Sequence, residues 1–332
     1  MAEPIRKVRF GIMGAAHINR RLIPAIRQST HAELHAIASR SLPKATELAQ
    51  KHQIPTAYGS YEELLQDPEI DAVYIPLPNH LHVPWTMKAA NVGKHILCEK
   101  PLGINAKEAQ QVVDHCREKN VRLMDGVMWP HHPRTASLRQ VLDAGTIGTI
   151  VRMTGSFTFL MDFTQDNYRH RKHEGGGSLL DVGCYPVYFA RWLFQAEPVR
   201  VWARASYRDD VDVRMDGLLE FPGERFASFD CGFTLPYRIG VEIVGTQGRI
   251  VIPKMWLPPE MAGFQVILAN DSTSIHSQPA CDQVVCMVNA FAEAVRQARD
   301  PIPPPTEAVK TLKVLDALDQ AARTNSIITL TE

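Results

Sequence analysis

The feature that most constrains this chain is the alternation in its first 125 residues, where short runs that are apolar throughout are separated by stretches of helical periodicity. The runs are VRFGIM (8–13), ELHAIAS (33–39), AVYIPLP (72–78), HILCEK (95–100) and VRLMDGV (121–127). The helical stretches span 17–28, 42–52, 60–66, 82–92 and 105–119. A strand without polar alternation is buried on both faces, and helices between successive strands cover both faces of a parallel sheet. Such a chain folds as doubly wound α/β. Pro24 interrupts the first helical pattern and loosens its boundaries without removing it.

After a helix at 133–144 the texture changes. Strand-like segments follow one another at 149–160, 198–207, 213–221, 226–233, 238–244 and 248–252, interrupted by a single helix at 178–194. Turn chemistry such as FPGE (221–224) and GTQG (245–248) separates neighbours, which suits an antiparallel sheet. Helices at 282–298 and 306–323 follow, joined by the stiff PIPPP run (301–305). The expected plan is an N-terminal Rossmann domain over 1–125 and a C-terminal α+β domain over 126–332. The second domain carries a large open, mostly antiparallel sheet for substrate binding and oligomerisation. The last helix is able to pack back toward the first domain.

A length of 332 residues allows two hydrophobic cores. Lys+Arg and Asp+Glu total 36 each, so there is no basic excess of the kind nucleic-acid binding requires. No apolar run reaches membrane-spanning length, and MAEPIRKVRFGIMG enters a strand without the apolar core of a signal peptide. Cys98, Cys116, Cys184, Cys231, Cys281 and Cys286 are scattered without a CxxC pair, as buried thiols are in a reducing compartment. A cytoplasmic protein is expected.

The first strand ends in GIMGAAHIN (11–19). A glycine-bearing turn from strand to helix lets the backbone approach a pyrophosphate, which the helix N-terminus then stabilises. Gly11, Gly14, Ala15, Ala16, His17 and Ile18 are the candidate contacts. The motif departs from GxGxxG: Ala16 stands where the second glycine is usual and Asn19 fills the third position. At the end of the second strand, where an NAD-binding domain carries Asp or Glu, the chain has Ser39-Arg40-Ser41, with Lys44 one helical turn beyond. A guanidinium and hydroxyls there suit a 2′-phosphate, which favours NADP over NAD. The alternative is that Arg40 is an ordinary surface arginine.

These features, together with YIPLPNHLHVPWTMKAANVGKHILCEKPLGINAKEA, GGGSLLDVGCYPV and the ending TLKVLDALDQAART, resemble the glucose–fructose oxidoreductase / inositol dehydrogenase / rhizopine-catabolism (Gfo/Idh/MocA) family along nearly the whole chain. The resemblance implies that Lys100, in EKP, sits by the nicotinamide in a cleft between the domains. It implies that Pro76, Leu77, Asn79, His82 and Glu99 line the cofactor site. NHLH (79–82) and PHHP (130–133) could also be read as metal ligands, but neither has a matching set of further ligands, so no metal is expected.

On an α-helix opened by GGGS (175–178), Asp181 and Tyr185 would share one face, four residues apart. Hydride transfer at a carbinol carbon needs a group to move the hydroxyl proton. A phenol, with an ordinary pKa of about 10, serves at neutral pH only when a cation favours the phenolate. Lys100 can do this while donating to the substrate oxygen, and Asp181 is expected to position substrate or lysine. By itself Tyr185 reads as a core aromatic, with Leu179, Leu180, Val182 and Phe189 around it in sequence; the resemblance decides for catalysis. Many family members have histidine there. The tyrosine branch includes enzymes similar to NADP-dependent D-xylose dehydrogenase and dimeric dihydrodiol dehydrogenase. Where relatives often have aromatic-Arg-Phe-x-Pro, this chain has MWPHHP (128–133), so a contact is missing or rebuilt by His131, His132 or Arg134. In NYRHRKHE (167–174), Asn167 and Arg169 are candidates for sugar hydroxyls, with exposed loop charge the equal alternative.

The expected function is that of an NADP(H)-dependent sugar or cyclic-polyol oxidoreductase, most like an aldose 1-dehydrogenase of the D-xylose type. A trans-dihydrodiol dehydrogenase or sugar ketoreductase is the alternative, and a non-catalytic NADP-sensing regulator is the alternative of another class. The expected partners are a small sugar or cyclic diol and further copies of the chain, as a homodimer or homotetramer through the C-terminal sheet, with no nucleic acid or membrane.

Overall fold

Each apolar run of the first 125 residues forms a strand. The computed structural model describes residues 6–259 and 261–330. In chain order the elements are β1 (Val8–Met13), α1 (Asn19–Gln28), β2 (Ala32–Ala38), α2 (Leu42–Lys51), β3 (Thr56–Tyr58) and α3 (Tyr61–Gln66). Then come β4 (Ala72–Ile75), α4 (His82–Asn91), β5 (His95–Cys98), α5 (Ala106–Glu118) and β6 (Leu123–Asp125). The six strands run parallel in the order β3-β2-β1-β4-β5-β6. The order reverses between β1 and β4, and the loops leaving the carboxyl ends of those strands flank the crevice where such sheets bind ligands. β3 escaped the sequence reading because three half-buried residues at a sheet edge carry no periodic signal. β5 stops at Cys98 rather than at 100, which leaves Glu99 and Lys100 in the loop just past the ladder.

The second run of elements is α6 (Pro133–Asp143), β7 (Ile150–Leu160), α7 (Cys184–Phe194), β8 (Arg200–Arg208), β9 (Val211–Phe221) and β10 (Arg225–Gly232). It continues with β11 (Thr234–Arg238), β12 (Val241–Gly245), β13 (Gly248–Ile252), β14 (Ala262–Leu268) and β15 (Thr273–Gln278). Last come α8 (Gln283–Arg296), α9 (Thr306–Thr324) and β16 (Ile328–Thr329). The strands form one sheet in the order β15-β14-β13-β12-β7-β10-β9-β8-β16, with β11 added on β7. All pairs are antiparallel except β7 with β10. β11, β14, β15 and β16 add to the expected strands; β15 is mostly exposed and polar, so it shows no apolar alternation.

Along β9 the side chains alternate, with Val213, Met215, Leu219 and Phe221 buried and Arg214, Asp216 and Leu218 exposed. One face of the sheet is therefore a core face, and α7 packs on it against β7 and β10. The opposite face presents Trp202 directly across from Leu218, both more than a third exposed, with Ser228 and Thr154 continuing the row.

The chain divides into two compact units: residues 1–103, 107–131 and 282–309 make one, and 104–106, 132–281 and 310–332 the other. Most of α9 belongs with the second unit, while α8 belongs with the first. The reason lies in its buried stripe: Val284, Met287, Val288 and Phe291 are buried, and Phe291 meets Phe10 of β1 edge-on at 5.8 Å. Asn289 adds a polar tie, its Oδ1 accepting from Ser29 Oγ at 2.6 Å. Phe291→Ala removes a fully buried ring from this packing and is expected to lower stability by about 3–5 kcal/mol in urea unfolding. A loss below ~1 kcal/mol would show that α8 is an accessory to the first unit rather than part of its core.

Candidate active site

Two turns define the crevice of the first unit. After β1 the chain passes through Gly14 at φ +129°, a conformation side chains avoid, and its N–H donates to Ala38 O at 2.9 Å. Asn19, buried at the start of α1, donates from Nδ2 to Gly14 O at 2.8 Å. The residue that breaks the glycine motif thus braces the turn from below. Ala15, Ala16 and Ile18 are half-buried and His17 is exposed, so the backbone here is open to a ligand. At Gly11 a side chain would lie 2.9 Å from Leu64 and from Ile70, so its absence makes room for the core beneath the turn. After β2, Ser39 is buried while Arg40 and Lys44 are exposed, and neither cation has a salt-bridge partner among the described residues.

The loop after β4 places Pro76, Leu77 and Asn79 in buried positions. His82 is fully buried, and both ring nitrogens lie 2.7 Å from backbone carbonyls, those of Pro101 and Leu77. Burial outweighs these contacts and holds its pKa down at about 4. His82, expected as a cofactor contact, has its ring nitrogens against carbonyls of the loops after β4 and β5. Glu99 accepts from Tyr74 Oη at 2.5 Å, and Gly126 leaves room for it, since a Cβ there would sit 3.1 Å from Glu99 Cα. Asp125, paired in register with Cys98, completes a group of charges with Glu99 and Lys100. Burial, then the neighbouring Glu99, push its carboxyl up to about 7, and Lys100 acts the other way.

In the second unit the glycine run 175–177 explains how Tyr185 is placed. Gly175, at φ +78°, ends a short 3₁₀ turn. A Cβ on Gly176 would lie 2.6 Å from Arg169 O, and one on Gly177 would lie 2.1 Å from Asp212 Oδ1. The missing side chains let the Asp212 carboxylate reach the helix start, where Oδ2 accepts from Ser178 Oγ and from Leu179 N–H, each at 2.7 Å. They also let the 168–171 segment press close, so that Arg169 forks onto Asp181 at 2.7 and 3.0 Å. Asn167 accepts from the Arg169 N–H at 3.1 Å. The two loop residues expected to bind sugar hydroxyls are thus engaged within the helix entry, one as a cap and one as the partner of Asp181.

The expected α-helix from 178 does not form at once. Residues 179–183 make a π turn, and the α-helix begins at Cys184. The cause is Pro186, which has no N–H for the 182 carbonyl and whose ring would strike it; the wider turn relieves both. Asp181 therefore stands in the π turn and Tyr185 in the first turn of the α-helix. Pro186 seats on Gly155 of β7, 3.1 Å from where a Cβ would stand. Tyr185 is buried between Phe157, with ring centroids 5.1 Å apart, and Trp256, at 5.8 Å. Of the residues considered to replace the absent arginine, Arg134 is buried in the second unit and donates to Lys254 O at 3.0 Å and Met255 O at 2.7 Å. Asn19, Asp125, Phe157, Asp212 and Trp256 had not been singled out as site residues from sequence. Only the position of Asn19 in the glycine motif offered a signal.

The family described as an oxidoreductase family with an NAD-binding Rossmann fold matches residues 8–127, and the GFO/IDH/MocA C-terminal domain matches residues 135–251. The chain belongs to this family. It is 38% identical over 325 residues to D-xylose 1-dehydrogenase (NADP(+)) 2 of Haloferax volcanii, covering 97% of this chain and 99% of that protein. It is 33% identical to the human trans-1,2-dihydrobenzene-1,2-diol dehydrogenase over 76% of this chain and 77% of that one. Among solved structures, a 3-ketoreductase from Actinomadura kijaniata in complex with NADP and TDP-benzene superposes with a TM-score of 0.90 at 30% identity, covering 95% and 98% of the two chains. Among the described residues no helix is long and apolar enough to cross a membrane.

Asp212 gives a pH test of the helix entry. Burial raises its pKa from 3.8 to about 6, against the opposing hydrogen bonds from Ser178 and Leu179. A carboxyl with a raised folded pKa adds stability below its unfolded value, and this is lost as pH rises through the folded one. Asp212→Asn should therefore gain on wild type by about 2 kcal/mol between pH 4 and 7, on top of a constant offset from the altered hydrogen bonds. Parallel stability curves for the two proteins across that window would rule out the shift.

Proposed function

We propose that this chain is an NADP(H)-dependent oxidoreductase of CH–OH groups, acting on a sugar or cyclic polyol as an aldose 1-dehydrogenase of the D-xylose type does. The observation that carries the reading is the end-to-end similarity to a D-xylose 1-dehydrogenase using NADP(+), in a chain that has Arg40 where an acidic residue would select NAD. The residues fit the dinucleotide. The Gly14 turn, braced by Asn19, opens at the N-terminus of α1, and Arg40 and Lys44 carry uncommitted positive charge beyond β2.

Bound NADP supplies the hydride acceptor or donor. In the proposed chemistry Tyr185 takes the hydroxyl proton in oxidation and returns it in reduction. Lys100 favours the phenolate and donates a hydrogen bond to the substrate oxygen. Asp181, paired with Arg169, positions the helix that carries the tyrosine. Tyr185→Phe and Lys100→Met should each lower kcat by roughly a thousandfold or more. Nicotinamide fluorescence titration should meanwhile show NADP+ bound at near wild-type affinity and well ahead of NAD+. Full turnover by either variant would sink the chemistry, and a clear NAD+ preference would sink the cofactor assignment.

The ketoreductase likeness supports a second reading, reduction of a keto group on a nucleotide-linked sugar. Rates across pentoses, aromatic diols and nucleotide-linked sugars at fixed cofactor separate the readings, and the substrate class with the highest kcat/KM decides.

We further propose that the open sheet face, with Trp202 opposite Leu218, pairs with a second copy of the chain. Large exposed apolar side chains aligned across strands are what a self-complementary interface buries. Sedimentation velocity is expected to show a dimer or tetramer, and a single 37.2 kDa species at micromolar concentration would remove the proposal.

A further inference from the structure

Arg134 is only 2% exposed, no carboxylate among the described residues pairs with it, and its Nε lacks a hydrogen-bond partner. A buried, unpaired cation is costly, so its position needs a reason. Its fork holds two successive carbonyls, those of Lys254 and Met255, and Trp256 is the next residue. Met255 is held from its other side, its N–H donating to Ile239 O at 2.8 Å. The segment is therefore fixed at two points before the chain reaches the indole.

The indole is fixed as well. Trp256 is fully buried, and its Nε1 donates to Ser156 O at 2.8 Å. The residue after Ser156 is Phe157, whose ring stands edge-on to Tyr185. Trp256 meets Tyr185 from another direction and also touches Phe189, one helical turn along α7, with centroids 5.8 Å apart. One hydrogen bond thus ties the Trp256 ring to the residue preceding Phe157, and Arg134 secures the segment bearing Trp256.

We propose that Trp256 and Arg134 are positioning residues that hold the Tyr185 ring in a single orientation for proton transfer. This rests on the reading of Tyr185 as the proton-transfer group. Trp256 acts by direct ring contact, and Arg134 acts through the 254–255 backbone. A planar fork is what two adjacent carbonyls require; a lysine reaches them as a point charge.

The test compares Trp256→Phe, Arg134→Gln and Arg134→Lys with wild type and Tyr185→Phe in the full-length enzyme. Readouts are kcat, KM, the pH dependence of kcat, NADP+ affinity and the melting temperature. Trp256→Phe and Arg134→Gln should each lose roughly 10- to 100-fold in kcat, the scale of a misplaced catalytic group. NADP+ affinity and KM should stay within about twofold of wild type. The pH midpoint of kcat should move upward as the loosened phenol returns toward its ordinary value of about 10. Arg134→Lys should fall between wild type and Arg134→Gln. If Arg134→Gln does not fold, the smaller Trp256→Phe change carries the test. Folded Trp256→Phe with unchanged kcat and pH midpoint overturns the proposal, and so does a fall in kcat with the midpoint unmoved, which assigns the pair to ordinary packing. An inactive Tyr185→Phe beside fully active Trp256 and Arg134 variants sinks the positioning roles alone. An active Tyr185→Phe removes the proton-transfer reading itself.

Discussion

Three residues without side chains, Gly175 to Gly177, let two other segments press against one helix start, and the placement of Tyr185 follows from that. With a Cβ at 176 the 168–171 segment could not close, and Arg169 would lose its reach to Asp181. With one at 177 the Asp212 carboxylate could not occupy the space from which it grips Ser178 and Leu179. The turn that follows is π because Pro186 cannot donate, and Pro186 in turn rests on a strand position, Gly155, that also lacks a side chain. Glycine therefore serves here as space for neighbouring groups, and at 175 and 177 as conformational freedom too.

Several buried charged groups of the second unit are committed to specific polar partners. Arg134 is spent on carbonyls, and Asp212 on a hydroxyl and an amide. Arg191 of α7 forks onto Glu197 at 2.6 and 2.7 Å while reaching Thr311 at 2.9 Å. Replacing such groups with apolar ones is often neutral for stability, so their value lies in directional constraint. A hydrogen-bonded charge tolerates few geometries, whereas an apolar contact tolerates many. The Tyr74–Glu99–Asp125 group beside Lys100 has the same character, with two carboxyls close enough that one raises the pKa of the other.

The parallel sheet was legible because burial on both faces leaves no alternation, and helical periodicity survives between the strands. The antiparallel sheet was legible where strands alternate, as in β9, and illegible in β15, which contributes little to the core. The site divides along the same line. Lys100, Tyr185 and the Gly14 turn lie in contiguous motifs. Trp256 lies 71 residues beyond Tyr185, and Asp212 and Arg134 act on the helix entry and on the 254–255 backbone from separate elements. No local pattern marks a residue whose partner is brought to it by sheet register. His82 and Gly11 lie in contiguous motifs, yet their packing was not legible there: the His82 ring faces two loop carbonyls and Gly11 makes room for the core.

The surroundings of Tyr185 also bear on why a phenol, and not an imidazole, suits this position. Phe157 and Trp256 present ring carbons to it, with the one indole N–H already committed to Ser156. A phenol suits this setting because its ring is apolar over most of its surface and its single polar atom lies at the far end. An imidazole carries two nitrogens in the ring itself. Set among the same aromatics, it would leave at least one of them desolvated against carbon, which disfavours the charged form and costs a hydrogen bond. The aromatic surroundings and the identity of the residue at 185 are therefore coupled. A change of one to histidine without a change in the other leaves either a buried nitrogen without a partner or a loosely held phenol.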